Sequence, residues 1–413
     1  MDASVERRAQ QAVRAERPVR LLTLTTLFPN SRHPRHGIFI ANRLRRLCDT
    51  GRVQATVVAA LPRFPGAYRT NADVPPAEIA NGFAVRHPRF INVPLVGMRV
   101  QPDLLARALL GELRRIGVDA EGADVIDAHY FYPDGVAAAR VAQALDLPLV
   151  ISARGSDINA IADIPFARRR MLAAAQRADA LIAVSAALAR RMSEIGMPRE
   201  RIHVLRNGVD TEMFAPYPRG EARRRLGLSE DGRWIVAVGN LVPAKGFDVL
   251  VRAVATLPET RLLIVGEGAL RDTLSTLARK IARERVVFRD NMPQADLRFV
   301  YAAADVLALP SLREGWPNVL LEAIACGTSV VAADVGGVAE IVADDSVGVR
   351  VRGRSDDAWT SALQRALARD FSREELRRYA LRFGWDDVVE QQCALYSDVS
   401  ASYQRRRRDV SGG

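Results

Sequence analysis

Short runs of β-branched and aliphatic residues alternate along the chain with stretches whose apolar positions recur every three or four residues. The first pattern predicts buried strands and the second amphipathic helices, and their alternation predicts an α/β fold of doubly wound, mostly parallel sheets. In the first half the strands fall at Val19–Leu27, Gln54–Ala60, Val125–His129, Pro148–Ser152, Ala180–Val184 and Ile202–Leu205. Helices lie between them at about Ile38–Cys48, Asp103–Ile116, Asp134–Leu145, Pro165–Arg177 and Ala186–Ile195. The stretch from Arg206 to Gly220 is rich in Gly, Pro and Asn without periodicity, which predicts a linker.

The alternation then restarts. Strands are predicted at Trp234–Gly239, Arg261–Val265, Arg285–Phe288, Val306–Leu309, Ser329–Ala332 and Gly348–Val351. The helices are Phe247–Thr256, Ala269–Ala282, Gln294–Ala302, Val319–Ala325 and Asp356–Leu367. Two successive Rossmann-like domains are the economical reading. Helical stretches beyond Phe371, broken near Gly384, run into Arg405–Arg408 and a last four residues expected to be disordered.

Composition narrows the class. The 413 residues are 48% hydrophobic and 26% charged, which excludes wholesale disorder, collagen-like repeats and a coiled-coil rod. The net charge of +11 is uneven: the first 200 residues hold 28 basic against 19 acidic residues, the remainder 31 against 29. A basic first half attracts nucleic acid, anionic lipid or a phosphorylated substrate. Lys245 and Lys280 are the only lysines, so an arginine by itself says little here. Three cysteines, Cys48, Cys326 and Cys393, without C-x-x-C spacing fit a reducing cytosol. The polar N-terminus lacks an apolar signal core, and no run reaches the roughly 20 apolar residues of a membrane span. A cytoplasmic protein, at most peripheral to a membrane, is expected.

Candidate chemistry concentrates in Ser311–Ala325 (SLREGWPNVLLEAIA). A strand ending at Leu309 enters a loop with Glu314 and Gly315, and a helix starts near Pro317. Open α/β sheets bind ligands at the carboxyl ends of their strands. Gly315 permits close backbone approach, and the free N–H groups of Asn318, Val319 and Leu320 suit a phosphate. Glu322, on the same helix, can accept hydrogen bonds from vicinal hydroxyls such as those of a ribose. Two lone glutamates beside a helix N-terminus would ordinarily be a capping carboxylate and a solvated one.

The surrounding string alters that balance. It resembles the E-x7-E signature of the retaining glycosyltransferases of family 4, which adopt the GT-B fold: two Rossmann-like domains facing across a cleft, with a C-terminal helix crossing back to the first. Further similarities follow in order: Val238-Gly239-Asn240-Leu241-Val242-Pro243-Ala244-Lys245-Gly246, Val265-Gly266-Glu267-Gly268, Gly336-Gly337 and the linker's Asn207-Gly208-Val209-Asp210. Asp127-Ala128-His129-Tyr130 and Ile151-Ser152-Ala153-Arg154-Gly155-Ser156-Asp157 resemble glycosyltransferases of teichuronic acid and exopolysaccharide assembly. The resemblance implies an acceptor domain over residues 1–207, a donor domain over 208–383, and a crossover helix with a basic tail over 384–413.

It also implies roles. Glu314 would hold the donor sugar's hydroxyls, Glu322 the ribose, Lys245 the phosphates, and His129 the sugar or the departing phosphate. Gly37, Asn240, Gly266, Gly268, Gly315, Trp316, Asn318 and Val319 would line the donor. Asn240 stands where the family usually has Arg, which leaves the two-cation phosphate clamp incomplete; Arg154 and Arg206 are candidates for the missing charge. His33 and His36, with Pro34 between them, are expected at the surface or against the acceptor.

The resulting expectation is a metal-independent, retaining glycosyltransferase. It would move a sugar from a UDP- or GDP-sugar to a glycan or lipid-linked acceptor in cell-surface polysaccharide assembly, without a cofactor or nucleic-acid partner. Alternatives are a GT-B sugar-nucleotide epimerase and a non-catalytic partner subunit. The basic first half, with Arg43, Arg45 and Arg46 on one helix, points to an anionic membrane surface.

Overall fold

The computed structural model describes residues 17–64, 71, 73–92, 97–119 and 121–411. The chain forms two compact units. One comprises the described residues up to Ile182, with Ser193–His203 and the chain from Val389; the other comprises Ala183–Met192 and Val204–Val388.

The first unit is built on β1 (Val19–Thr25), β2 (Val53–Ala59), β3 (Leu61–Arg63), β4 (Ala77–Ala80), β5 (Phe83–Arg86), β6 (Arg89–Ile91), β7 (Val125–His129), β8 (Leu149–Ala153), β9 (Ala180–Ala183) and β10 (Ile202–Val204). Eight of these form one sheet in the order β10-β9-β8-β7-β1-β2-β5-β4, and β3 pairs with β6 separately. Strand β1 runs parallel to both β2 and β7, while β4 is antiparallel to β5 at the edge. β7 and β8 are buried along their whole length, as strands covered by helices on both faces must be.

The second unit carries β11 (Arg233–Val238), β12 (Thr260–Val265), β13 (Val286–Arg289), β14 (Val306–Leu309), β15 (Ser329–Ala333) and β16 (Gly348–Val351). Their order is β13-β12-β11-β14-β15-β16, with every neighbouring pair parallel. This is the doubly wound arrangement whose chain reverses direction between its first and fourth strands. Ile235, Ala237, Leu262, Ile264 and Val331 pack with Leu250, Val254 and Trp359 from the flanking helices to make its core.

The two sheets are pinned alike at their amino ends. Asp124, just before β7, accepts from the backbone N–H of Arg20 in β1 at 2.9 Å, and Asp305, just before β14, accepts from that of Trp234 in β11 at 2.7 Å. Arginines surround both carboxylates, Arg20 at Asp124 and Arg219 and Arg223 at Asp305. Buried carboxylates so placed organise the fold and leave the opposite, carboxyl ends of the strands for ligands.

Most predicted elements lie within a few residues of their expected bounds. The strands β3, β4, β5 and β6, three or four residues each, were not expected, because such short runs show no period. The helix expected from Asp103 begins at Gly97 and contains Pro102. Pro102 cannot donate to the carbonyl of Met98 one turn back, and the Tyr132 hydroxyl donates to that carbonyl instead. A helix at Arg219–Arg225 begins where the expected linker ends. The final helix, Asp386–Ser411, takes in Val410 and Ser411, which were expected to be disordered; Gly412, Gly413 and the polar N-terminus through residue 16 lie outside the described residues.

Candidate active site

Lys245 and Glu314 flank the switch point of the second sheet. After β11 the chain makes a short turn, Pro243–Lys245, and Gly246 in the left-handed region (φ 63°) starts the helix Phe247–Thr256. After β14 a loop carries Glu314 toward the helix Asn318–Ala325. The Leu312 N–H donates to the Ala244 carbonyl at 2.8 Å, tying the two loops together. Lys245 Nζ then reaches Glu314 Oε1 at 2.6 Å, with both side chains mostly buried. An ammonium and a carboxylate meet at the position where this sheet type binds phosphorylated ligands.

The glycines explain how four loops converge. A Cβ on Gly266 (φ 153°) would lie 1.9 Å from the Gly239 carbonyl oxygen, and one on Gly268 2.5 Å from that of Leu241. A side chain at either would force apart the loops after β11 and β12. Gly315 is buried; its carbonyl, like that of Glu314, is packed against the Gly336-Gly337 turn after β15. Asn240 is exposed, and its carbonyl accepts from the Val242 N–H at 2.9 Å.

Glu322 is 8% exposed and accepts a hydrogen bond from the Tyr301 hydroxyl at 2.6 Å. Trp316 is buried and donates through Nε1 to the Asn207 carbonyl at 2.9 Å. Asn318 accepts from the Asn207 side chain at 3.2 Å, and Val319 is half-buried on the first turn of its helix. Trp316 and Asn318 thus bind the linker segment to the Glu314 loop. Arg206, a candidate for the missing phosphate cation, is paired with Glu340 at 2.6 Å; Glu340 also accepts from the N–H groups of Ala186 and Ala187.

In the first unit, β1 and β7 flank the corresponding reversal, and β7 ends at His129. His129 is 2% exposed, with Nε2 2.7 Å from Asp127 Oδ2 and Nδ1 hydrogen-bonded by the Arg154 guanidinium. A guanidinium can only donate, so Nδ1 is an acceptor and the ring proton sits on Nε2. Burial pulls the His129 pKa down, with Asp127 acting the other way, and the ring is neutral. Both nitrogens thereby face protein groups, and Arg154, half-buried, is more accessible than His129. Arg154 thus serves His129, within the first unit.

Asp157 fixes the loop that carries Arg154, accepting from the N–H groups of Phe131, Arg154 and Gly155. Tyr130, between His129 and Phe131, is held at φ 80°, a strained value for a bulky residue. Gly37 (φ 66°) starts the helix Ile38–Asp49, and a Cβ there would lie 2.2 Å from the Leu27 carbonyl oxygen. Arg43 on that helix is 2% exposed and bonds Gln392 of the final helix. It does not face a membrane, as the charge pattern had suggested, because the final helix covers it; Arg45 remains exposed. His33 and His36 are exposed. Among the described residues, no helix is long and apolar enough to cross a membrane.

Two family profiles match the chain: "Glycosyltransferase Family 4" over residues 39–213 and "Glycosyl transferases group 1" over residues 218–383. A Xylanimonas cellulosilytica protein named D-inositol 3-phosphate glycosyltransferase is 36% identical over 332 residues, covering 74% of this chain and 78% of its own. The chain belongs to the family 4 glycosyltransferases. A Catenulispora acidiphila relative, D-inositol 3-phosphate glycosyltransferase 1, is 32% identical across 93% of this glycosyltransferase and 97% of its own length. Sucrose-phosphate synthase of Thermosynechococcus elongatus shares the fold with a TM-score of 0.78 at 21% identity, covering 94% of this chain and all of its own. The Xylanimonas and Catenulispora relatives carry the name of a cyclitol phosphate enzyme rather than of the polysaccharide enzymes that the first-half motifs suggested.

Sequence reasoning missed the buried hydrogen-bonded chain of Arg43, Gln392 and Tyr396. Arg43, Gln392 and Tyr396 lie on helices where polar residues ordinarily face water, and only Gln392 and Tyr396, four apart in the final helix, left a trace of it. It also missed a hollow of about 340 Å³ in the first unit, lined by Arg99, Phe166, Arg169, Arg170 and Ala173. The Arg99 guanidinium lies over the Phe166 ring, 4.9 Å from its centroid, and Arg170 is paired with Asp103.

Proposed function

We propose that this glycosyltransferase moves a sugar from a nucleotide-diphosphate donor to a hydroxyl of a small phosphorylated polyol of the inositol phosphate class. The observation that carries the donor half is the Lys245–Glu314 pair at the switch point of the second sheet. Lys245 meets the charge that develops on the departing diphosphate, together with the N–H groups of the helix Asn318–Ala325. Glu314 orients the sugar, and Glu322 receives the ribose hydroxyls. The reaction needs neither a metal nor an enzyme nucleophile in this reading. The anomeric carbon loses its bond to the diphosphate oxygen and gains one to the acceptor oxygen on the same face, so configuration is retained. The diphosphate oxygen takes the acceptor proton.

The acceptor half is supported by the names of the relatives and by the arginine-lined hollow. Arg169, exposed in that hollow, supplies a cation for a phosphate, beside Arg99 stacked on Phe166. The test is incubation with UDP-, GDP- and ADP-sugars and, in turn, inositol phosphates, free inositol, glycans and lipid-linked acceptors, with products read by mass spectrometry. A glycosylated inositol phosphate is expected. Product on glycans or lipid-linked acceptors alone would return the acceptor to polysaccharide assembly, and no product from any pair would sink the reading.

A further inference from the structure

A second cation reaches the Lys245 loop from the edge of the second sheet. β16 ends at Val351, Gly353 (φ 86°) turns the chain, and Ser355 caps the helix Asp356–Ala368 by accepting from the Ala358 N–H at 3.3 Å. Arg252, on the helix that Gly246 starts, pairs with Asp356 at 2.9 Å and ties the two helices together. Arg354 is thereby set with its guanidinium against Gly246, the residue after Lys245. A Cβ on Gly246 would lie 3.1 and 3.2 Å from the two terminal nitrogens of Arg354, and 2.6 Å from the Pro310 carbonyl oxygen at the end of β14. A side chain at Gly246 would fill the place the guanidinium takes.

Arg354 is exposed, and among the described residues no carboxylate pairs with it. Its neighbours are held: Arg350 and Arg352 share Asp334, Arg271 faces Asp290, and Arg206 faces Glu340. Lys245 is itself balanced by Glu314, and Asn240 adds no charge. A nucleotide-diphosphate sugar brings a negative charge on each phosphate and gains another as the sugar leaves, so a balanced pair leaves it uncompensated. Arg354 can turn toward that charge without giving up an ion pair, and its planar fork suits two phosphate oxygens.

We infer that Arg354 is a donor-binding residue, which closes on the sugar-bearing phosphate beside Lys245 and supplies the positive charge that Glu314 cancels there. The inference rests on the proposed function in one respect, that the diphosphate lies at Lys245.

The experiment is calorimetric titration of the full-length protein with UDP, GDP and ADP and with the matching monophosphates, in wild type, Lys245→Ala, Arg354→Gln, Arg354→Lys and Arg352→Gln. Arg354→Gln should weaken the diphosphate about 10-fold and leave the monophosphate unchanged. Arg354→Lys, which keeps the charge without the fork, should recover part of that loss. Arg352→Gln removes the same charge from the same loop and should bind both ligands as wild type does. Unaltered diphosphate binding in Arg354→Gln, with Lys245→Ala weakened, would overturn the inference and leave the donor site at Lys245 standing. Equal losses in Arg354→Gln and Arg352→Gln, or for diphosphate and monophosphate, would also overturn it, since the charge of the loop rather than a contact to the outer phosphate would then be acting. Full binding by Lys245→Ala, or no binding of any nucleotide by wild type, would overturn the donor reading and this inference with it.

Discussion

Lys245 Nζ and Glu314 Oε1 stand 2.6 Å apart, joining the loop after β11 to the loop after β14. Each is the other's counter-ion, so the two should respond differently to neutralisation. Lys245→Ala should weaken nucleotide diphosphate binding and lower kcat by about 10² to 10³. Lys245→Arg should not restore it, because a planar fork cannot occupy the place of a compact ammonium. Glu314→Gln should bind the bare diphosphate as well as wild type or better, having lost a repelling carboxylate, while sugar transfer falls about 100-fold. Steady-state kinetics beside calorimetric titration of the diphosphate separate these outcomes.

The Tyr301 hydroxyl donates to the nearly buried carboxylate of Glu322. Tyr301→Phe removes that donor and should cost about 1 kcal/mol of stability. It should also loosen the carboxylate proposed for the ribose, raising the donor KM several-fold with little change in kcat. Donors built on 2′-deoxyribose, which lack one of the two hydroxyls, should show less of this effect; an equal loss for both sugars would place Glu322 away from the ribose.

Asp134 carries a pH dependence with a definite sign. Burial pushes its carboxyl up to about 8, against the hydrogen bonds it receives from the Thr26 hydroxyl and N–H. The folded state therefore keeps a proton that the unfolded chain releases near the ordinary carboxyl value of 3.8. Stability should fall as pH rises from there through about 8. Asp134→Asn keeps a carbonyl acceptor for Thr26 without the titration. Thermal unfolding should show the variant gaining on wild type between pH 5 and 8, and parallel melting curves for the two proteins would contradict it.

Arg169 is exposed at the edge of the first unit's hollow, whereas Arg170 is held by Asp103. Arg169→Ala should raise the KM for a phosphorylated acceptor about 10-fold and leave the donor KM alone. The unphosphorylated acceptor should be indifferent to the substitution, and equal effects on both would remove the phosphate from this hollow.

The second sheet was the more legible half. Its strands centre on short apolar runs, and Val306–Leu309, Gly348–Val351 and the helix Phe247–Thr256 lie where periodicity put them. Lys245 and Glu314, sixty-nine positions apart, could each be placed at a strand end from local signals, but their direct contact depends on strand order, which no local pattern encodes. His129 was placed at a strand end, yet its engagement with Asp127 and Arg154 depends on which neighbour fills each ring nitrogen. Arg43 shows the same gap more sharply. Its charge predicted a solvent-facing residue, and a helix some 350 residues later in the chain covers it.

The most direct test of the donor site is calorimetric titration of the full-length protein with UDP, GDP and ADP, repeated with Lys245→Ala and Glu322→Ala. Saturable one-to-one binding of at least one nucleotide is expected, weakened about 10-fold or more in both variants while their melting temperatures stay near wild type. Binding of equal strength in wild type and both variants, or none by any of the three nucleotides, would contradict it.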